Sequence, residues 1–153
     1  MKTVVQRVSR AEVRIGSELV GRIGQGLMLL VGVERGDGEA DADVTANKIA
    51  ALRIFPGRTP MDLTLRDVGG ACLVVSQFTL AGNLAKGNRP SFELAEDPVR
   101  ADYLYLRVAE QLRGAGLPVE TGRFGAHMEV ELINDGPVTF VVAARSGALV
   151  KEP

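Results

Sequence analysis

Two hydroxyl groups and a side-chain amide follow a long apolar run of the sequence, in the segment Ser76-Gln77-Phe78-Thr79. A Ser or Thr hydroxyl attacks an acyl carbon when a neighbouring base activates it, so this segment is a candidate catalytic centre. The alternative is structural, because polar groups at the end of a buried strand are costly unless paired, and hydroxyls often bond local backbone donors. Spacing alone leaves both interpretations open.

A second candidate is the Gly136-Pro137 pair, which follows Asn134 and Asp135. Glycine has no Cβ and proline has no N–H, so the pair offers bare carbonyl groups to a close neighbour. Between two strand-like runs, the same pair is also typical of a hairpin turn. The sequence does not fix the isomer of the bond, since only about 5–6% of X-Pro bonds are cis.

The usual catalytic side chains are scarce. His127 is the single histidine and precedes a strand-like run, where such a residue is more often on the surface than catalytic. Cys72 is the single cysteine and fits a small core side chain. No Cys/His cluster is spaced for zinc, and no glycine-rich loop leads into Lys-Ser or Lys-Thr. We therefore expect no metal and no cofactor.

Composition limits how the chain could bind nucleic acid. Its 153 residues include 18 basic and 19 acidic side chains, a net charge of −1, which excludes a polycation that coats nucleic acid by charge alone. Trp is absent and aromatic residues are 5%, which argues against a stacking platform for single-stranded RNA. No apolar run reaches the roughly 18 residues of a membrane span, and no signal-peptide pattern opens the chain. The expected location is cytoplasmic, without membrane contact.

Hydrophobic periodicity and turn residues predict a single α+β domain over residues 1–145, with a frayed tail at 146–153. One helix follows the acidic stretch 34–43 and ends at Pro56, and another runs from Asp97 to about Arg113. The predicted strands are 3–15, 19–23, 27–33, 71–80, 119–123, 128–133 and 138–143. The first three are expected to be antiparallel neighbours.

The two candidate segments resemble the signatures of the D-aminoacyl-tRNA deacylase family, at 76–80 and 134–139. The sequence departs from that family's usual pattern at 58–62, where relatives often have Gly-Lys-Met-Asn, and at His127, where they tend to carry Asp. The likeness extends along most of the chain, through segments in the family's order at 5–8, 21–27, 32–34, 52–55 and 86–92.

The resemblance implies an enzyme that hydrolyses the ester joining a D-amino acid, or glycine, to the 3′-terminal adenosine of tRNA. It implies a barrel-like core of antiparallel β-sheets with two packed helices. It also implies a homodimer whose active site lies at the subunit interface, with no cofactor. A tRNA partner is compatible with the net charge of −1, because gripping the terminal adenosine needs only a local basic patch.

The resemblance also assigns roles to residues. Gly136 and Pro137, joined by a cis bond in the family, would aim carbonyls at the substrate so that an L side chain clashes, and Arg7 would hold their orientation. The pocket itself would be lined by Ser76, Gln77, Phe78 and Thr79. Met128 and Phe140 would lie near the terminal adenosine, and Lys86 and Arg89, in a weakly basic loop, are candidates to contact RNA.

Thr79 has two possible roles. It could be the nucleophile, or it could line the pocket while the 2′-OH of the tRNA assists the attack. The second role is favoured because no base is evident beside Thr79 in the sequence. Backbone N–H groups near Gln77-Phe78-Thr79 would then stabilise the oxyanion.

The sequence leaves two rival functions open. A related deacylase with relaxed chirality would act on L-Ala misattached to tRNA. A non-catalytic nucleic-acid-binding module would bind duplex DNA in a salt-sensitive way without hydrolysing an ester.

Overall fold

Nine helices and strands make up the fold of residues 1–151, which are the residues described by a computed structural model. The two helices are α1 (Glu39–Ala51) and α2 (Pro98–Gly114). The strands are β1 (Lys2–Ile15), β2 (Glu18–Ile23), β3 (Gly26–Gly32), β4 (Ala71–Ser76), β5 (Val119–Thr121), β6 (Glu129–Arg145) and β7 (Ala148–Val150). The predicted α+β class with two helices is confirmed.

The seven strands form one mixed sheet in the order β5-β4-β3-β1-β6-β7, with β2 also paired to β1. As predicted, β1 is antiparallel to both β2 and β3. The prediction of antiparallel sheets in a barrel-like core is wrong, because β3, β4 and β5 are parallel and the edge strands β5 and β7 do not pair. The reason is the pair of helical connections: a chain that crosses over through a helix returns in the same direction.

Each face of the sheet covers a separate apolar cluster. The larger cluster lies between the sheet and the helices, where Ile49 of α1 and Leu104, Val108 and Leu112 of α2 are all buried. The smaller one lies on the opposite face and includes Val8, Val13, Ile23, Met28 and Leu73. The fully buried runs in β3 and β4 are typical of parallel strands covered on both faces.

The second helix begins as the sequence predicts. Pro98 is its first residue, and the Asp97 carboxylate accepts a hydrogen bond from the Arg100 N–H at 3.2 Å. The first helix is shorter than predicted, because the chain becomes extended at Leu52 and continues into a pairing between Phe55 and Leu63.

Two predictions about the C-terminal strands are wrong. The expected strands 128–133 and 138–143 are one strand, β6, which pairs with β1 on both sides of the Gly136-Pro137 pair. Part of the expected frayed tail is also ordered, since Ala148–Val150 pairs with the end of β6. Residues 152–153 lie outside the described residues. Within the described part of the chain, no helix is long and apolar enough to cross a membrane.

Candidate active site

The first signature lies where β4 ends. The strand was predicted to continue to Leu80, but it ends at Ser76 and a single 3-10 turn covers Phe78–Ala81. The Gln77 N–H donates to the Val31 carbonyl at 2.8 Å, and the Leu80 N–H then turns back to the Gln77 carbonyl. Gly32 permits this turn, since a Cβ there would lie 2.7 Å from the Cβ of Leu80.

The 3-10 turn leaves two backbone donors without partners. Within residues 1–151, no hydrogen bond uses the N–H groups of Phe78 and Thr79. They are adjacent in the chain and follow Gln77 directly. Neighbouring free N–H groups of this kind can stabilise a developing oxyanion.

A cavity of about 650 Å³ opens beside this turn, lined by Ser76, Gln77 and Phe78. The ring of Phe78 is 55% exposed and meets Phe92 edge to face, with centroids 5.0 Å apart. Phe124 adds a further aromatic surface. A mostly apolar cavity of this size with a few polar groups is typical of a small-molecule site.

Met128, predicted near the terminal adenosine, lines the same cavity. Its sulfur accepts a hydrogen bond from the backbone N–H of Arg123 at 3.5 Å. Gly122 leaves room for the sulfur, since a Cβ at that position would lie 2.8 Å from it. The structure therefore brings Met128 together with three of the four predicted pocket residues, Ser76, Gln77 and Phe78.

The cavity also includes polar residues that the sequence did not place at a site, among them His127, Arg35 and Glu96. His127 is exposed, as predicted, but it also faces the cavity. Arg35 and Glu96 line it from loops that meet through a bridge between Glu34 and Ala95. The sequence carries no signal for that meeting, because the two loops are about sixty residues apart.

Thr79 lies just outside the cavity. Its hydroxyl is exposed and is hydrogen-bonded to the side-chain amide of Gln77. In the described part of the chain that amide is the one side-chain partner of the hydroxyl, so no carboxylate or imidazole is bonded to it as a base. Burial raises the pKa of the Cys72 thiol to about 12, so this core residue is no alternative nucleophile.

The second signature is a bulge in β6. Gln6 pairs with Thr139 and Val8 with Asn134, so Arg7 alone stands opposite residues 135–138. The side chain of Asn134 closes the base of this bulge: its Nδ2 donates to Thr139 Oγ1 at 2.8 Å, and its Oδ1 accepts from the Val138 N–H at 2.9 Å. The side-chain amide thus replaces the ladder bonds that the bulge loses.

Gly136 and Pro137 form the exposed tip of the bulge. Their peptide bond is cis, and Gly136 has a φ of +132°, a conformation that L side chains rarely adopt. A Cβ on Gly136 would lie 2.7 Å from Val138 Cγ2 and 3.2 Å from an Arg7 guanidinium nitrogen. Only glycine therefore fits this position without a shift.

Arg7 is buried and lies beneath the tip. Its Nε donates to the Asp135 carbonyl at 3.1 Å, and its Nη1 donates to the Ile54 carbonyl at 2.8 Å. The Asp135 carboxylate also lies 3.5 Å from Nε. Arg7 thus ties the bulge to the loop that follows α1.

The two signatures do not meet within one chain. Gly136, Pro137 and Arg7 line a separate depression of about 560 Å³, whose other wall is residues 56–61. The two sets of lining residues have no member in common. Three further predicted site residues lie outside both, as exposed side chains: Phe140 on β6, and Lys86 and Arg89 in the loop that closes with a bridge between Asn83 and Ser91.

An apolar cavity beside free backbone N–H groups, together with an exposed backbone tip held by a buried arginine, is an arrangement that a hydrolase of activated esters could use. A family model described as D-Tyr-tRNA(Tyr) deacylase matches residues 4–143. The chain belongs to the D-aminoacyl-tRNA deacylase family, which confirms the predicted hydrolase activity and, with it, a tRNA substrate and a role in proofreading.

Curated relatives of the same description cover nearly the whole chain. The D-aminoacyl-tRNA deacylase of Symbiobacterium thermophilum is 53% identical over 143 residues, 93% of this chain and 95% of that protein. That of Paracoccus denitrificans is 56% identical over 140 residues, 91% and 94% of the two chains.

Two solved structures share the fold. One, named "c-Myc DNA Unwinding Element Binding Protein", is 38% identical with a TM-score of 0.88 and covers 95% of this chain and 100% of its own. The other, a "probable eukaryotic D-amino acid tRNA deacylase", has a TM-score of 0.78 and covers 92% of this chain and 97% of its own. Its identity of 18% makes it a match of fold alone.

Proposed function

We propose that the protein hydrolyses the ester between a D-amino acid, or glycine, and the 3′-terminal adenosine of tRNA, and that the Gly136-Pro137 tip rejects L-amino acids. The observation that carries this proposal is the construction of the tip. Arg7 holds it from below through the Asp135 carbonyl, and Asn134 closes its base. These contacts fix the position of the tip, and a fixed surface can distinguish substrates that differ only in the configuration at Cα.

Rejection by a wall of main chain explains a broad choice of D-amino acids. The side chain of a D-residue points away from the wall, so its size and charge matter little. The side chain of an L-residue points into the wall and clashes. Glycine passes because it has no Cβ, and specificity then comes from a repulsive element instead of a pocket for each side chain.

The proposal needs two copies of the chain, because the tip and the Ser76 cavity are separate in one copy. Exposed apolar side chains on both faces of the edge formed by β6 and β7 support a homodimer, and they include Val130, Ile133, Phe140, Val141 and Leu149. Exposed apolar patches of this kind often mark an interface. A two-fold dimer would repeat each contact, so each tip would reach the cavity of the partner.

The attack itself is proposed to rely on the substrate's 2′-OH and on the free N–H groups of Phe78 and Thr79. An aminoacyl ester is already activated, so positioning and oxyanion stabilisation can supply much of the rate. Removing one oxyanion donor typically costs about 10²–10³ in rate. Among the described residues no base is bonded to the Thr79 hydroxyl, which supports a role for this residue other than nucleophile.

The direct test compares three substrates: D-Tyr-tRNA, L-Tyr-tRNA and Gly-tRNA, each incubated with the pure protein. Release of tRNA from the D-Tyr and Gly esters, with the L-Tyr ester stable, is the expected result. Equal hydrolysis of the D and L esters, or none of either, would refute the proposal. Rapid hydrolysis of L-Ala-tRNA would instead indicate the related deacylase with relaxed chirality.

A second candidate function is DNA binding, favoured by the name of the structural neighbour that is 38% identical. Duplex DNA binding that weakens steeply with salt, in a protein without ester hydrolysis, would support it. A fluorescence titration of labelled duplex at two salt concentrations measures this, and absence of binding at low salt excludes it.

A further inference from the structure

The loop between α1 and β4 forms a rigid turn at residues 56–61, beside the Gly136-Pro137 tip. Its base is closed by two backbone hydrogen bonds between Phe55 and Leu63, at 3.0 and 2.8 Å. Most of the segment where the sequence departs from its family, residues 58–62, lies in this turn.

Asp62 fixes the shape of the turn and is itself neutralised. Its Oδ2 accepts from the Arg58 N–H at 2.8 Å, while its Oδ1 accepts from Arg53 Nη2 at 2.8 Å. These bonds hold the pKa of the Asp62 carboxyl below its usual value. Gly57 allows the close approach, because a Cβ there would lie 2.5 Å from Asp62 Oδ2.

The charges around the depression leave one cation without a partner. The acids are Asp62, paired with Arg53, and Asp135, paired with Arg7. Arg58 lines the same depression, and its exposed guanidinium has no ion pair or hydrogen bond within residues 1–151. Among residues 1–151 the side chains of Arg66 and Arg89 also lack such a partner, but of these three arginines Arg58 alone lines the depression beside the tip.

One side chain, that of Arg7, links the turn to the tip. Arg7 donates to the Ile54 carbonyl at the base of the turn and to the Asp135 carbonyl at the base of the tip. A substrate that contacts the tip would therefore also lie close to Arg58, whose backbone is held by Asp62.

We propose that Arg58 binds a backbone phosphate of the tRNA 3′ end while the Gly136-Pro137 tip inspects the aminoacyl group. This inference rests on the proposed function and adds a contact to the RNA backbone. Guanidinium is suited to the role because it presents several N–H donors to phosphate oxygens. The contact would bind substrate without taking part in the chemical step.

The test measures tRNA binding and hydrolysis for wild type, Arg58→Ala and Arg58→Lys over a range of salt concentrations. Loss of one phosphate contact should lower the slope of log affinity against log salt by about 0.7–1. We expect Arg58→Ala to raise KM by about five- to tenfold at low salt with kcat unchanged, and Arg58→Lys to restore most of the salt slope.

Two controls separate the contact from general effects. Arg66→Ala removes the same charge from an exposed arginine that lines a different depression, with Asn47 and Asp67, and it should leave the slope unchanged. A D-aminoacyl-adenosine has no backbone phosphate, so Arg58→Ala and wild type should hydrolyse it equally.

The outcomes distinguish this inference from the proposed function. If wild type hydrolyses D-aminoacyl-tRNA but Arg58→Ala has the same salt slope as Arg66→Ala, the inference alone is wrong. If wild type hydrolyses no ester, the proposed function fails, and the salt slope for binding deacylated tRNA still decides the role of Arg58. An equal loss on D-aminoacyl-adenosine would also overturn the phosphate contact.

Discussion

The two signature segments present different parts of the chain, side chains in one and main chain in the other. The segment from Ser76 to Phe78 offers side chains to a cavity of about 650 Å³ with aromatic walls. The Gly136-Pro137 segment offers main chain, supported by a buried arginine and a side-chain amide. The first can adapt by moving side chains, whereas the second can move only if its supports move.

This difference matches a division of labour within the proposed function. An apolar cavity with a few polar groups suits binding of the common part of the substrate, the terminal adenosine and the ester. A backbone wall suits rejection by shape, since it presents the same surface whatever the amino acid. Changes to the supports of the wall should therefore alter selectivity, and changes at the cavity should alter rate.

The largest effect is expected for Arg7→Ala. Two carbonyl groups, of Asp135 and Ile54, would lose a charged donor, which should cost about 2–4 kcal/mol of unfolding free energy. Discrimination between D- and L-aminoacyl-tRNA should fall as well, because the tip loses its support. Urea unfolding and paired hydrolysis assays measure the two effects. Unchanged stability together with unchanged selectivity would contradict the assigned role of Arg7.

A smaller effect, confined to the wall, is expected for Gly136→Ala. The positive φ and the contact with Val138 should cost about 1–3 kcal/mol and displace the tip. Hydrolysis of L-Tyr-tRNA should rise relative to D-Tyr-tRNA. Gly16→Ala is the matched control, since Gly16 also has a positive φ but a Cβ there would meet nothing within 4 Å. It should lose stability and keep full selectivity.

The smallest effect is expected at the cavity side for Thr79→Ala. If the 2′-OH of the substrate assists the attack, the variant should keep activity within about tenfold of wild type. Single-turnover hydrolysis of D-Tyr-tRNA measures this, with Thr79→Ser as the control that keeps the hydroxyl. A loss of about 10⁴-fold in Thr79→Ala, with Thr79→Ser active, would support a nucleophilic threonine.

Local signals predicted the parts of the fold that local interactions decide. Asp97 and Pro98 indicate the start of α2 because a capping carboxylate and a residue without N–H both suit a first turn. The buried run of β4 was also predicted, but its end was not. The turn at Phe78 depends on Gly32 of a neighbouring strand, which no local pattern reveals.

At the Gly-Pro segment, local composition predicts the wrong structure. Asn134 to Pro137 has the composition of a hairpin turn, so two strands were expected. The strand instead continues, because pairing with β1 resumes at Thr139 and the Asn134 side chain bridges the gap. The candidate site residues come from the family resemblance, whereas Arg35 and His127 line the cavity through tertiary contacts that no local pattern reveals.

The central claim is that the wall of one copy serves the cavity of another. Ser76→Trp should fill the cavity and abolish hydrolysis, while Gly136→Ala should hydrolyse both D- and L-Tyr-tRNA. In mixed dimers, the open cavity belongs to the Gly136→Ala chain and faces the intact tip of the Ser76→Trp chain. The ratio of D to L hydrolysis is measured as the Ser76→Trp chain is added in excess. We expect this ratio to rise toward the wild-type value, and a ratio that stays low at every mixture would contradict the exchange of tips between the two copies.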